Sequence, residues 1–128
     1  MAVFVRFEEI KAWQISRRLV VEIYKAVESS ECRFDLELRR QLTSAAISTM
    51  SNIAEGFGRR NDGDFIRFLD ISLGSASEVQ SLLYVCTDIG YLPEQVAVSL
   101  REMTVECSAA LAGLAAYLRK SRSESRKR

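Results

Sequence analysis

Apolar side chains in this chain recur at three- and four-residue steps along four long stretches, and nowhere do they alternate regularly with polar ones. A helix repeats every 3.6 residues and a strand every two, so this spacing selects helices packed on helices. The first stretch carries Ala12/Trp13, Ser16, Leu19/Val20, Ile23 and Ala26/Val27, with Glu8, Glu9, Lys11, Arg18, Glu22 and Lys25 on the other side. It predicts a helix over about 8–28, with acidic residues at the start to suit the helix dipole. Ile10, Ile15 and Val21 lie partly off the stripe, which gives this helix more apolar surface than one core requires.

Ser29 to Phe34 reads as the first connection. Leu38, Leu42, Ala45/Ala46, Thr49, Ile53 and Phe57 then predict a second helix over about 35–57, capped by Asp35. Gly58 is placed to take the left-handed conformation that ends it. Asn61-Asp62-Gly63-Asp64 resembles a capping box, and Phe65, Phe68/Leu69, Ser72, Ala76, Val79, Leu83 and Cys86 predict a third helix over about 62–89. Gly90 stops it and Pro93 opens a fourth, over about 93–119, on Val96, Leu100, Met103, Cys107, Leu111, Leu114 and Leu118. Four long helices joined by short turns imply an all-α, antiparallel up-down-up-down four-helix bundle, one domain over 1–120. Ser121 to Arg128 reads as a basic, disordered tail.

The formal net charge of +1 hides an asymmetry. Residues 119–128 hold six Lys or Arg and one Glu, which leaves twelve basic and sixteen acidic residues for the body. An electrostatic case for nucleic acid is therefore local. Cys32, Cys86 and Cys107 form no CxxC pair and the chain has no histidine, which argues against a zinc site, a di-iron site or any cofactor held by such ligands. Reduced cysteines and a charged N-terminal stretch without a signal-peptide pattern point to a soluble, cytoplasmic protein with no membrane partner.

The chemistry concentrates where the second and third helices meet. If they pair about a turn near Arg60, facing residues have numbers summing to roughly 121, which sets Ala46 near Ser75, Ser48 near Leu73 and Glu55 near Arg67. Ala45, Ala46 and Ser48 then face Ser72, Gly74, Ser75 and Ala76, a seam of small residues. Ser48, Asn52, Glu55, Arg67, Ser75 and Glu78 are read as a polar network that fixes register or joins subunits, with a polar binding site as the alternative. No serine has an evident base beside it, and Gly56-Phe57-Gly58 follows a helix rather than a strand, so neither nucleophilic catalysis nor a phosphate loop is expected. The reading is not an enzyme. Arg39/Arg40 and Arg59/Arg60 are the candidate nucleic-acid contacts, with the basic tail from Arg119-Lys120 to Arg126-Lys127-Arg128 as a further one, against the plainer reading of solvated helix faces.

Phe7, Ala12-Trp13-Gln14, Gln41-Leu42, Ala45-Ala46-Ile47-Ser48, Ser51-Asn52-Ile53-Ala54-Glu55-Gly56, Phe65-Ile66-Arg67-Phe68-Leu69, Gly74-Ser75, Glu78 and Gly90-Tyr91-Leu92 together resemble the four-helix bundle proteins of the 23S ribosomal RNA intervening-sequence family. The resemblance spans Phe7 to about Leu118. It implies a homopentamer, a ring of five bundles round a central channel. Reading frames of this family lie in insertions within bacterial 23S rRNA genes, and a relative serves diversity-generating retroelements as an accessory protein that binds nucleic acid and a reverse transcriptase. The family often has an arginine just before the paired small residues of the second helix, where this chain has Ser44. Two functional expectations follow: an oligomeric scaffold that associates with RNA or DNA, or a homopentameric protein-interaction module without nucleic acid.

Overall fold

The computed structural model describes residues 4–126. Four α-helices carry the fold, and no strand occurs among the described residues. They are α1 (Lys11–Glu28), α2 (Leu36–Gly58), α3 (Asp62–Asp88) and α4 (Glu94–Arg126). Short 3₁₀ turns at Phe7–Glu9 and Glu31–Phe34 precede α1 and α2. Each helix packs against its neighbours in sequence, and α1 closes against α4.

The helix ends follow the local chemistry. Asp35 Oδ1 accepts from the Leu38 N–H at 3.1 Å, and Asn61 Oδ1 accepts from Asp64 N–H at 3.0 Å, each satisfying an otherwise free first-turn donor. Gly90, at a φ of 82°, closes α3, and the Pro93 carbonyl accepts from the Val96 and Ala97 N–H groups to start α4.

Four expectations differ. The first helix begins at Lys11 because Ile10 is extended (φ −76°, ψ 120°) and separates it from the 3₁₀ turn. Gly58 lies within α2, and it is Arg60, at a φ of 61°, that takes the left-handed step. Ile10 and Ile15 are buried, so only Val21 of the three surplus residues on α1 faces outward. The last helix passes the expected end at 119 and runs to Arg126, so residues 121–126 are helical, not tail-like. Lys127 and Arg128 lie outside the described residues.

The core falls into two clusters. One gathers Leu19, Ile23, Val27, Leu42, Val79, Leu83 and Leu100; the other Ile10, Trp13, Ile53, Phe65, Leu69, Leu111 and Leu118. Between them in sequence on every helix sits one hydroxyl, Ser16, Thr49, Ser72 or Thr104, each fully buried. Every one finds a carbonyl: Ser16 donates to Trp13, Thr49 to Ala45, Thr104 to Leu100, and Ser72 across to Thr49 on α2. Among the described residues, no helix is long and apolar enough to cross a membrane.

The tightest backbone approach lies further along the same pair. A Cβ added at Gly56 would sit 2.6 Å from the Phe68 Cβ and 3.1 Å from the Phe65 ring. The Phe68 Cβ is tied to the α3 backbone and cannot swing aside. Gly56→Ala is therefore expected to destabilise the fold by about 1–3 kcal/mol, read as a lower Tm or denaturant midpoint. Arg60 shows the opposite sign, because glycine tolerates its conformation without the Cβ clash. Arg60→Gly is expected to stabilise by up to about 1 kcal/mol, read in the same melting experiment.

Candidate nucleic-acid interface

The α2–α3 seam assembles part of the expected polar network. Asn52 Nδ2 donates to the Ser48 carbonyl at 2.8 Å and to Ser48 Oγ at 2.9 Å. Ser48 Oγ in turn meets Ser75 Oγ at 2.8 Å. With Asn52 donating, the Ser48 hydroxyl proton is free to bridge to Ser75, so the three side chains form a directed chain. All three are half-buried and lie within one chain.

The other three lie elsewhere. Glu55 is exposed and bonds Arg59, four residues on, at 3.0 Å, whereas Arg67 approaches Asp64 at 3.9 Å. Glu78 is exposed on the outer side of α3. The expected Glu55–Arg67 contact does not form, because each side chain reaches a carboxylate or guanidinium one turn away on its own helix. Ser48 pairs with Ser75 rather than lying beside Leu73, and Gly74 is exposed, with nothing within 4 Å of a Cβ built there.

The four expected nucleic-acid residues split into two sites. About twenty residues of helix, roughly 30 Å, separate Arg39/Arg40 from Arg59/Arg60. Arg39 reaches Glu28 at 2.7 Å and Arg40 reaches Glu37 at 2.7 Å. Glu37 is held below the ordinary carboxylate range by the Gln41 amide and by Arg40 beside it. Arg59 bonds Glu55 and lies 5.0 Å from the Phe68 ring centroid. Arg60 is exposed and makes no ion pair among the described residues.

The structure adds partners that the sequence pattern left scattered. At the start of α3 the end of α4 brings up Arg119, Arg122 and Arg126 on one helix face. Arg119 reaches Asp70 at 2.6 Å, and the Arg122 guanidinium lies over Gly63, where an added Cβ would be 2.8 Å from Nη1. Arg119, Arg122 and Arg126 line a shallow recess of about 270 Å³ with Ile66 and Ser123. Spacings of three and four residues along 119–126 were the signal, and reading the segment as disordered obscured it. Arg122 and Arg126, like Arg60, are exposed and outside every ion pair among the described residues.

Elsewhere the surface is of another kind. A groove of about 470 Å³, mostly apolar, runs along α1 beside α4 and is lined by Trp13, Arg17, Val21 and Met103. Large apolar side chains are exposed on all four helices, among them Tyr24, Ile47, Ile71, Tyr84 and Tyr117. No group of three or more His, Cys, Asp or Glu among the described residues is arranged to hold a metal. Burial pushes the Cys86 and Cys107 thiols up to about 12.

Four helices, a hydroxyl-bonded seam and arginines gathered at one end define a small all-α bundle protein without an assembled metal cluster among the described residues. Residues 8–113 match the family model described as "23S rRNA-intervening sequence protein", and the chain belongs to that family. The fold is similar to the crystal structure of a protein of unknown function from the S23 ribosomal protein family of Bacteroides thetaiotaomicron VPI-5482. That likeness has a TM-score of 0.74 at 22% identity, covering 81% of this chain and 97% of the other. No curated protein matches the chain.

A double-mutant cycle checks the seam. Ser48→Ala and Ser75→Ala are expected to couple by about 1 kcal/mol in denaturant unfolding, whereas Glu78→Gln is expected to shift stability by less than about 0.5 kcal/mol.

Proposed function

We propose that the protein is a non-enzymatic, oligomeric scaffold that associates with RNA or DNA through arginine–phosphate contacts at the α2–α3 end of the bundle. The observation that carries this reading is the set Arg60, in the turn between α2 and α3, and Arg122 and Arg126, on the part of α4 that packs over Gly63 and Ile66, all exposed and outside every ion pair among the described residues. Arg59, Arg67 and Arg119 stand round the same end, each held by one carboxylate that a phosphate can displace. The family's tie to intervening sequences of 23S rRNA supports it. Arg39 and Arg40 become secondary contacts, since binding there must first break the pairs to Glu28 and Glu37.

The helices are proposed to run antiparallel, up-down-up-down. Partner numbers on α3 fall as those on α2 rise, from Ser48 with Ser75 to Phe57 with Phe65, which supports that arrangement. Exposed apolar residues on every helix support self-association, and the family resemblance favours a closed ring of five. A non-enzymatic role fits the side chains that chemistry would need: the buried hydroxyls are all committed to carbonyls, and the thiols are buried. A cytoplasmic, nucleic-acid-rich setting completes the proposal.

A second reading rests on the apolar groove along α1. It makes the ring a protein-interaction module that binds a partner at Trp13, Val21 and Met103 without nucleic acid.

The deciding measurement is RNA binding by nuclease-treated protein across a salt series, with the mass in solution recorded alongside. The first reading expects an oligomer whose affinity falls steeply with salt, and a loss of about tenfold or more at fixed salt when Arg60, Arg122 and Arg126 are all changed to Gln. Salt-independent binding, or no binding at low salt, overturns it in favour of the second.

A further inference from the structure

We propose that Cys32 and Cys86 form a reversible disulfide when the protein meets a peroxide, stapling the 3₁₀ turn between α1 and α2 to the end of α3. The two residues are 54 positions apart in sequence, yet they share one core cluster and are 1% and 0% exposed. Their two segments are tied together, the Tyr91 hydroxyl beyond Cys86 donating to Asp35 Oδ2 beyond Cys32 at 3.0 Å, and each thiol lies close enough to the other to bear on its titration. Cys107, the remaining thiol, lies in the other cluster, with Sγ facing the Ala12 carbonyl at 3.7 Å. Only one pair is therefore set up to join.

Both backbones are fixed where they need to be. The Cys86 carbonyl accepts from the Tyr91 and Leu92 N–H groups at 2.8 and 3.2 Å. The Cys32 N–H donates to Ser30 Oγ at 3.3 Å, and its carbonyl accepts from Asp35 N–H at 3.1 Å. Access comes from the turn itself. Cys32 is the only buried residue of Glu31–Phe34, and Glu31, Arg33 and Phe34 around it are exposed. A four-residue turn held in the core by one side chain opens at low cost compared with a long helix. Cys86 stays anchored in α3 and waits.

That asymmetry sets the order of events. Burial raises both thiols, with Cys86 the more strongly shifted, so both stay protonated in the closed form. When the turn opens, Cys32 loses its proton to solvent and its thiolate attacks one peroxide oxygen. The O–O bond breaks, hydroxide leaves and takes up the proton as water, and Cys32 becomes a sulfenic acid. On reclosing, the Cys86 sulfur attacks the Cys32 sulfur and the S–O bond breaks. The departing hydroxide takes the Cys86 proton as a second water. Two thiols and one peroxide thus give one disulfide and two waters, and a dithiol reductant reverses the step. Closing a loop of this length constrains the unfolded chain.

The test treats the full-length protein with hydrogen peroxide and digests it without reduction. The expected result is a linked peptide pair containing Cys32 and Cys86, lost on adding dithiothreitol, with Tm raised on the order of 10 °C in the oxidised form. Cys107→Ser is expected to keep both signals, and Cys32→Ser or Cys86→Ser to lose them. Because the linked peptide is read in the unaltered protein, the result stands even if a variant folds poorly. Links through Cys107, links between chains, separate over-oxidation of Cys32 and Cys86, or no reaction where the urea-unfolded protein reacts would each overturn the proposal.

Discussion

Four hydroxyls have to be buried at mid-height of this bundle, and the helices can pack only where each finds an acceptor. Three of them, on Ser16, Thr49 and Thr104, solve the problem within their own helix by donating three or four residues back. Ser72 alone crosses to another helix, giving its proton to the Thr49 carbonyl. That bond fixes how α3 slides and turns against α2. A step of one residue would rotate Ser72 by about 100° and leave a buried hydroxyl facing apolar side chains, at a cost of about 1–3 kcal/mol. Once that register is set, Ser75 arrives at Ser48, and Phe68 arrives against the bare backbone of Gly56. The two apolar clusters to either side supply most of the stabilisation but are more tolerant of sliding, because one aliphatic contact replaces another. Direction comes from the polar layer.

The fold could be read from the sequence because long helices repeat their evidence many times over. Most stripe positions on each helix are buried or half-buried, Val96 being an exception whose place in the core Ala97 takes, and Asp35, Asn61, Gly90 and Pro93 mark the ends with side chains whose chemistry is local. What failed was also local. Arg60 rather than Gly58 took the left-handed step because α2 continues two residues further than a glycine signal suggests, and the turn geometry then leaves no glycine at the strained position. Thr104 escaped the apolar stripe of the fourth helix because a threonine bonded to its own helix looks polar on the page and behaves as a small core residue.

The candidate site was legible only in fragments. Adding residue numbers across a hairpin placed Ser48 and Ser75 on facing helices but was two residues out, enough to set Leu73 where Ser75 sits. The same arithmetic drew Glu55 to Arg67, yet a surface side chain prefers a partner one turn away, which demands no ordering of a second helix. Charge counting found the arginine pairs without their neutralising carboxylates. Glu28, eleven residues before Arg39, shares no helix with it, so nothing in the local pattern announces that pair.

These counter-charges bear on how any phosphate contact must work. Among the described residues, the α2–α3 end of the bundle offers three arginines outside ion pairs, Arg60, Arg122 and Arg126, and three more that must exchange a carboxylate for a phosphate. An exposed ion pair is worth about 0–1 kcal/mol, so the exchange itself would gain little and one bundle end alone would bind a polyanion weakly. Repetition changes the outcome. Copies in the proposed closed ring would present the same arginine cluster several times to a single strand, each later contact being made at high effective concentration. Under the proposed function, the apolar residues exposed on all four helices and the arginines at one end would belong to one device: the first would assemble the copies, and assembly would make the second strong enough to matter.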